Sequence, residues 1–286
     1  MSLENRCVLI RTKKIGGCAV LHTPRKVIQR ICLLANKLRF HIFFKKRPRP
    51  GEYCNSKFIR VDTRAVQPAE TRPYLAIVRC GRSHCLIDDC SERNFDIALN
   101  CYAEPEGVRS GDYEYLYVGG INKYKAAVQF ISKAHLRRYR GFIFLDDDIE
   151  ITNSRLSQFL AYCSTHGFGL AQPSLTHDSH FSHEHLLNAS SRGWRFVPMV
   201  EVMCPYFSSS ALGKAIHTFD LSYSTWGLDF VWPKLFEFRP VVVDEFSVRH
   251  VRGTAESAFY EYMRQIGVSP QRDLAQLKNI SIGKVR

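Results

Sequence analysis

With 286 residues and 45% hydrophobic content, the chain can bury a sizeable core, and one large domain with an appendage suits it better than two full domains. The formal net charge of +13 is unevenly spread: thirteen basic residues and a single acid, Glu4, fall in the first fifty positions, leaving 27 basic against 26 acidic residues in the rest. This balance excludes a disordered polyelectrolyte, and ten cysteines scattered through so long a chain point to free thiols in a reducing cytosol rather than a secreted disulfide framework.

The chain begins with a basic arm, set at residues 1–55, ahead of one domain at 56–286. Between Arg25 and Phe44, the residues Val27, Ile31, Leu34 and Leu38 recur at helical spacing, with Lys26, Arg30, Lys37 and Arg39 mostly off that stripe. Such a helix could lie on an anionic membrane surface, making the protein cytoplasmic and peripheral, or pack on the domain with a solvated basic face. It is no transmembrane span, because Asn36, Lys37, Arg39 and His41 interrupt it, and the N-terminus does not read as a signal peptide. Clustered Lys and Arg would attract phosphate, but the near-neutral body and the lack of a nucleic-acid motif disfavour nucleic acid as the main partner.

After the break KKRPRPGEY, short apolar runs alternate with helical stretches. Tyr74 to Cys80, Phe95 to Tyr102, Tyr113 to Val118 and Phe142 to Asp147 read as strands. A helix with Ala127, Ile131 and Ala134 on one face fills the last gap, and another is expected from about Ser154 to Thr165 behind the capping choices Thr152, Asn153 and Ser154. Further strands are expected at Met199 to Ser208 and Val241 to His250, with helices around Ser209 to His217 and Ala255 to Ile266. The alternation indicates an α/β sheet with a substantial parallel component, whose ligands gather at the carboxyl ends of strands near a topological switch point.

At one such strand end stand three consecutive acids, in GFIFLDDDIEI. Adjacent carboxylates repel and are costly to desolvate unless a cation meets them. Asp146 and Asp148, spaced D-x-D, could hold Mg²⁺ or Mn²⁺ while leaving coordination positions for phosphate oxygens; the alternatives are an acidic helix cap or a phosphotransferase aspartate. Asp229, in STWGLDF, falls beside Trp226 at a helix start, and His250 ends a strand as a candidate third metal ligand. Cys80, Cys85 and Cys90 with His84 and Asp88 have four-residue gaps that lack the paired form of a zinc site.

Taken in order, RNFDIALNCY, FLDDDIE, LAQPSLTHDSHFSH, FVPMVEVMCPYFS, TWGLDFVWPKL and VRHVRG resemble the family called domain of unknown function 707, grouped with GT-A glycosyltransferase-like proteins. The resemblance spans roughly Pro73 to Gly253; the arm and the tail after about Ala255 fall outside it. It implies a GT-A-like mixed sheet flanked by helices, a nucleotide-sugar donor, and a carbohydrate or glycolipid acceptor. It further implies Asp146, Asp148 and His250 at a Mn²⁺ or Mg²⁺ ion, Asp147 on the nucleotide, and Asp229 as the base that deprotonates the acceptor hydroxyl. Asp96 falls where the fold meets base or ribose, or serves as a cap. Gln172, His177, His180, Glu201 and Trp226 fall on the acceptor side. For the histidine-rich loop, a second metal or plain solvation stay open, and for Glu201 a structural pairing with an arginine.

Overall fold

The computed structural model describes residues 60–62, 72–81, 84–89, 91–102, 113–189, 193–253 and 258–280. The expected arm and its amphipathic stripe, and Cys90, lie outside these. No described helix is long and apolar enough to cross a membrane.

Eleven strands form one mixed sheet system. In chain order they are β1 (Arg60–Asp62), β2 (Tyr74–Cys80), β3 (Leu86–Ile87), β4 (Phe95–Cys101), β5 (Tyr115–Val118), β6 (Gly141–Leu145), β7 (Ile149–Thr152), β8 (Leu170–Leu175), β9 (Arg195–Phe196), β10 (Tyr206–Ser208) and β11 (Val241–His250). Across the sheet the order is β1-β5-β4-β2-β6-β10-β8-β11-β7-β3, with β9 paired to β11. β5, β4, β2 and β6 run parallel, β10 is antiparallel to both β6 and β8, and β11 is parallel to β8. The chain therefore steps outward from β2 through β4 to β5, then returns to β6 on the far side of β2. That reversal creates a switch point between β2 and β6, outside whose carboxyl ends a crevice is expected. Two antiparallel pairings, β6 to β10 to β8, restore the original direction, so β8 and β11 end on the same edge as β6.

Seven described helices accompany the sheet: α1 (Lys123–Phe130), α2 (Lys133–Arg138), α3 (Asn153–Thr165), α4 (Ser209–Ala215), α5 (Leu228–Leu235), α6 (Ala258–Gln265) and α7 (Pro270–Lys278). The alternation of Tyr206 and Phe207 on β10 shows how both faces are covered. Phe207 packs 5.1 Å, centroid to centroid, from Trp232 of α5, within a layer that includes Tyr124, Phe144 and Phe219. Tyr206 points the other way, toward Phe159 of α3. Successive strand residues face opposite sides, so one strand anchors helices on both.

Three expectations needed correction. The helix expected between β5 and β6 is two, because Ile131 leaves helical geometry and Ser132 starts α2 with a reciprocal capping box to His135. The strand expected over Met199 to Ser208 survives only as β10; residues 202–204 turn, with Met203 and Pro205 carbonyls accepting from Asp146 and Phe144 amides. Glu201 therefore sits on a loop beside the tip of β6, not on an alternating strand. Asp96 is the second residue of β4, at the amino end of the parallel strands and so opposite the aspartate triplet. It is fully buried, held by the Tyr139 hydroxyl at 2.6 Å and the Arg138 guanidinium at 2.8 Å, which removes it from any nucleotide site at the carboxyl edge.

Candidate functional site

The three aspartates follow β6 directly, and each meets a cation supplied by the chain. Asp146 Oδ1 lies 2.8 Å from Lys123 Nζ. Lys123 opens α1 and is only 3% exposed, a position an ammonium tolerates because it also donates to the Met203 carbonyl at 3.0 Å. Asp147 accepts from the Arg252 guanidinium and, at 3.1 Å, from the Tyr102 hydroxyl. Asp148 Oδ2 lies 3.3 Å from Arg252 Nε and 3.5 Å from His250 Nε2. That last neighbour follows from register: β7, which begins one residue after Asp148, pairs Ile149 with His250 of β11.

Local electrostatics follow from these partners. Burial pushes the Asp148 carboxyl up, but the hydrogen bond and charge of His250, with Arg252 and Lys123, outweigh it and leave the group below its ordinary value. His250 is correspondingly raised, burial opposing and Asp148 prevailing. Its other nitrogen, Nδ1, sits 2.9 Å from the His180 carbonyl, which fixes the ring. On the β2 side of the switch point, Arg79 is buried and ties three strand ends together through Asn100 Oδ1 and the Gly119 and Gly120 carbonyls, with its guanidinium 4.9 Å from the centre of the Tyr102 ring.

A divalent ion was expected to sit between Asp146 and Asp148. Among the described residues, no group of three or more His, Cys, Asp and Glu side chains is arranged to hold a metal. Asp146 does not fit as a donor, since Lys123 holds it. Asp148 and His250 do fit as two donors, and Asp148 Oδ1 is buried without a hydrogen-bond partner, an acceptor left unsatisfied.

A second pair of acids, Glu201 and Asp229, has no lysine or arginine ion pair among the described residues. Glu201 is 8% exposed and Asp229 9% exposed. Burial first, and then the charge of Asp229, push Glu201 up to about 7, with His250 and Ser182 opposing. Burial raises Asp229 to about 6, against backbone amides that include Phe230 N at 3.0 Å. Because the charges of both Asp229 and His250 act on Glu201, the two acid sets share one neighbourhood. Among the described residues Glu201 pairs with His183, 3.9 Å away, and with no arginine, the partner considered from sequence.

The amino end of α1 positions all of this. Asn122 caps the helix by accepting from Lys125 N at 2.9 Å and donates to the Tyr223 carbonyl at 2.8 Å, tying down the loop that leads to Asp229. Tyr124 donates to the Val202 carbonyl at 2.6 Å, fixing the Glu201 turn. Behind the Asp229 loop, Asp273 of α7 accepts from Ser222, Tyr223 and Ser224. This clasp holds Thr225 at φ 70°, a left-handed conformation that costs a β-branched residue about 1–3 kcal/mol and tends to mark functional loops. Gly227, at φ 90°, could carry no side chain, since a Cβ would meet Leu277 at 2.8 Å.

The remaining acceptor-side candidates divide. Gln172 is fully buried on β8; its Oε1 accepts from Glu201 N at 2.7 Å, so it supports Glu201 from beneath and is closed to an acceptor. His177 is exposed beside Asp178, which pairs with Arg249. His180 enters the site through its carbonyl, its exposed ring 6.5 Å from that of His250. Trp226 donates to the Tyr260 hydroxyl at 2.8 Å. Lys123, Arg79, Tyr102 and Tyr260 were not singled out from sequence, where each reads as an ordinary helix or strand residue; Arg252 lay within the quoted VRHVRG, two positions after His250.

No family model matches the chain, and no curated protein matches it. The motif resemblance to the 707 family is thus not reproduced by a family model. Among solved structures, S. aureus TarS matches at 13% identity and TM-score 0.43, covering 71% of this chain and 42% of its own. TarS 1–349 in complex with UDP-GlcNAc matches at 12% identity and TM-score 0.44, covering 72% and 71% respectively. The UDP complex of the same protein scores 0.41 at 12% identity. The chain spans less than half of full TarS, and likenesses of this depth fix neither lineage nor activity.

Proposed function

We propose that the protein is a nucleotide-sugar-dependent glycosyltransferase of the 707 type, moving a sugar onto a carbohydrate or glycolipid hydroxyl. The observation that carries this reading is the nearness, at the carboxyl ends of the strands, of an acidic tip matched by Lys123 and Arg252 to a second pair of buried acids, Glu201 and Asp229, that no lysine or arginine among the described residues meets. The tip suits a diphosphate: Lys123 and Arg252 hold positive charge there, and Arg252, with its side chain 46% exposed, is free to reach a ligand. Asp148 and His250 would hold a divalent cation, Mn²⁺ or Mg²⁺, which when bound supplies charge to the departing diphosphate.

Asp229 is the base in this reading. As the acceptor oxygen bonds to the anomeric carbon, the bond from that carbon to the diphosphate oxygen breaks and its electron pair leaves with the phosphate. The acceptor proton passes to the Asp229 carboxylate, which its raised value of about 6 keeps mostly ionised at neutral pH yet basic enough to accept it.

Release of UDP or GDP from a panel of UDP-glucose, UDP-N-acetylglucosamine and GDP-mannose tests this, with product analysis to separate sugar transfer from phosphate transfer. Wild type is expected to release nucleoside diphosphate from at least one donor, and Asp229→Asn to lose roughly 10²- to 10⁴-fold in turnover while still binding it. Release of monophosphate, or full turnover by Asp229→Asn, overturns the assignment.

A further inference from the structure

A cavity of about 530 Å³, within the range of small-ligand pockets, opens on the sheet edge opposite the aspartate triplet. Gly169 leads into β8, Val241 opens β11, Phe196 of β9 pairs with Val241, and Ser208 closes the antiparallel β10, so all four border the cavity from the amino ends of β8 and β11. The ten residues of β11 separate this edge from His250 by roughly 30 Å of extended chain. Trp194, Phe196 and Phe238, which line the cavity, are three of the six large hydrophobic side chains that the described residues expose. Their placement is built in. Phe238 is seated where Gly169 has no side chain, since a Cβ there would fall 2.2 Å from its ring, and the buried Phe236 stacks behind it at 4.5 Å. Trp194 meets Phe168 and Phe196 edge to face at 5.3 and 5.2 Å.

The polar lining is directional. His166 Nδ1 sits 2.9 Å from the Tyr162 carbonyl, which can only accept, so in the neutral ring that nitrogen carries the proton and Nε2 is left as an acceptor. The Ser208 and Ser210 hydroxyls lie 3.3 Å apart, and Ser208 Oγ also accepts from Ala211 N, so one of the two hydroxyl protons remains to be donated. The Arg239 guanidinium rests 5.1 Å from the centre of the Phe196 ring and forms no ion pair among the described residues, which keeps its donors open. A lipid tail would use only the rings, and a simple anion only the guanidinium. A pyranose uses everything present, with its C–H face on the electron-rich ring faces and, around its rim, hydroxyls that both donate and accept. We infer that this cavity is a second carbohydrate-binding site, holding a pyranoside chain at the edge away from the acidic tip. The inference goes beyond the transfer reaction and does not rest on it, because a nucleotide at the tip needs none of these residues.

Calorimetric titration of the full chain with cello-, manno-, xylo- and chitohexaose and with hexagalacturonate tests this, UDP and GDP serving as probes of the other edge. At least one hexasaccharide is expected to bind wild type, and Trp194→Ala and Phe196→Ala, both at exposed positions, are each expected to weaken it roughly tenfold. His166→Phe keeps the stack on Tyr162 and Phe168 and removes the acceptor, for an expected loss of about five- to tenfold. Nucleotide affinity should stay within about twofold of wild type in all three, since the two edges share no partner, and unchanged thermal melts confirm that they are folded. Failure of every hexasaccharide to bind wild type overturns the inference, as does binding that survives all three substitutions; if it survives them but falls in Asp148→Ala, the sugar sits at the acidic tip instead. Sedimentation with phosphatidylcholine vesicles that wild type shows and Trp194→Ala loses, with no saccharide bound, overturns it in favour of a membrane contact. If a hexasaccharide binds as expected and no nucleotide does, the transfer reading fails and this site stands.

Discussion

Two sets of carboxyl groups lie in one neighbourhood under different conditions. Asp146, Asp147 and Asp148 lie at the strand tip against Lys123, Arg252 and His250, and Asp148 is held below its ordinary value. Glu201 and Asp229 lie near them with no lysine or arginine partner among the described residues, raised to about 7 and about 6 by burial. The residue types are the same and the surroundings set the roles: His250 and Arg252 hold Asp148 charged, Asp146 is pushed up by burial against Lys123, and Glu201 and Asp229 can exchange a proton near neutral pH.

Separating the two sets experimentally begins with the cation that is most deeply placed. Lys123→Met takes the partner from Asp146, whose side chain is 35% exposed and can be hydrated, and is expected to cost about 2–3 kcal/mol in urea unfolding. Lys123→Met combined with Asp146→Asn should recover most of that loss, because the stranded charge is then gone. If the single variant is as stable as wild type, the tip is not organised by that pair.

The second set should answer to pH. Glu201 has a folded value near 7 against an ordinary 4.5, so the stability it contributes when protonated is fully present below about 4.5 and is lost as pH rises through about 7. Glu201→Gln cannot ionise. It is expected to differ from wild type by less than about 1 kcal/mol at pH 5 and to exceed it at pH 8 by an amount on the order of 3 kcal/mol. A difference independent of pH would show that Glu201 is already charged or solvated in the folded chain. The smallest effect belongs to the rim: Arg249, about half exposed, bridges Glu150 and Asp178, and Arg249→Ala should change stability by less than about 1 kcal/mol. A larger loss would mean that the loop carrying His177 and His180 depends on a surface pair.

Much of the framework was legible because periodicity is local. β2 and β11 fall at the expected residues, Tyr74–Cys80 and Val241–His250, since β2 opens on a continuous apolar run and β11 on three valines followed by alternating apolar and polar residues. The need for positive charge at the triplet was also legible, from the repulsion of adjacent carboxylates alone. Its source was not: Lys123 is 23 residues upstream of Asp146 and Arg252 is 104 residues downstream of Asp148, and only the sheet order brings them together. The same holds for Glu201, whose alternating apolar neighbours imitate a strand while Pro205 and the turn at 202–204 make a loop. Asp96 shows the converse, an acid in a plausible motif that strand direction carries to the wrong end of the sheet.

Calorimetric titration of UDP and GDP into the full chain, with Mn²⁺ or Mg²⁺ present, bears most directly on the acidic tip as a diphosphate seat. Binding of at least one nucleotide is expected, with a loss of tenfold or more in Asp148→Ala and little change in Asp229→Asn. Equal affinity in wild type and Asp148→Ala, or no binding at all, would contradict it.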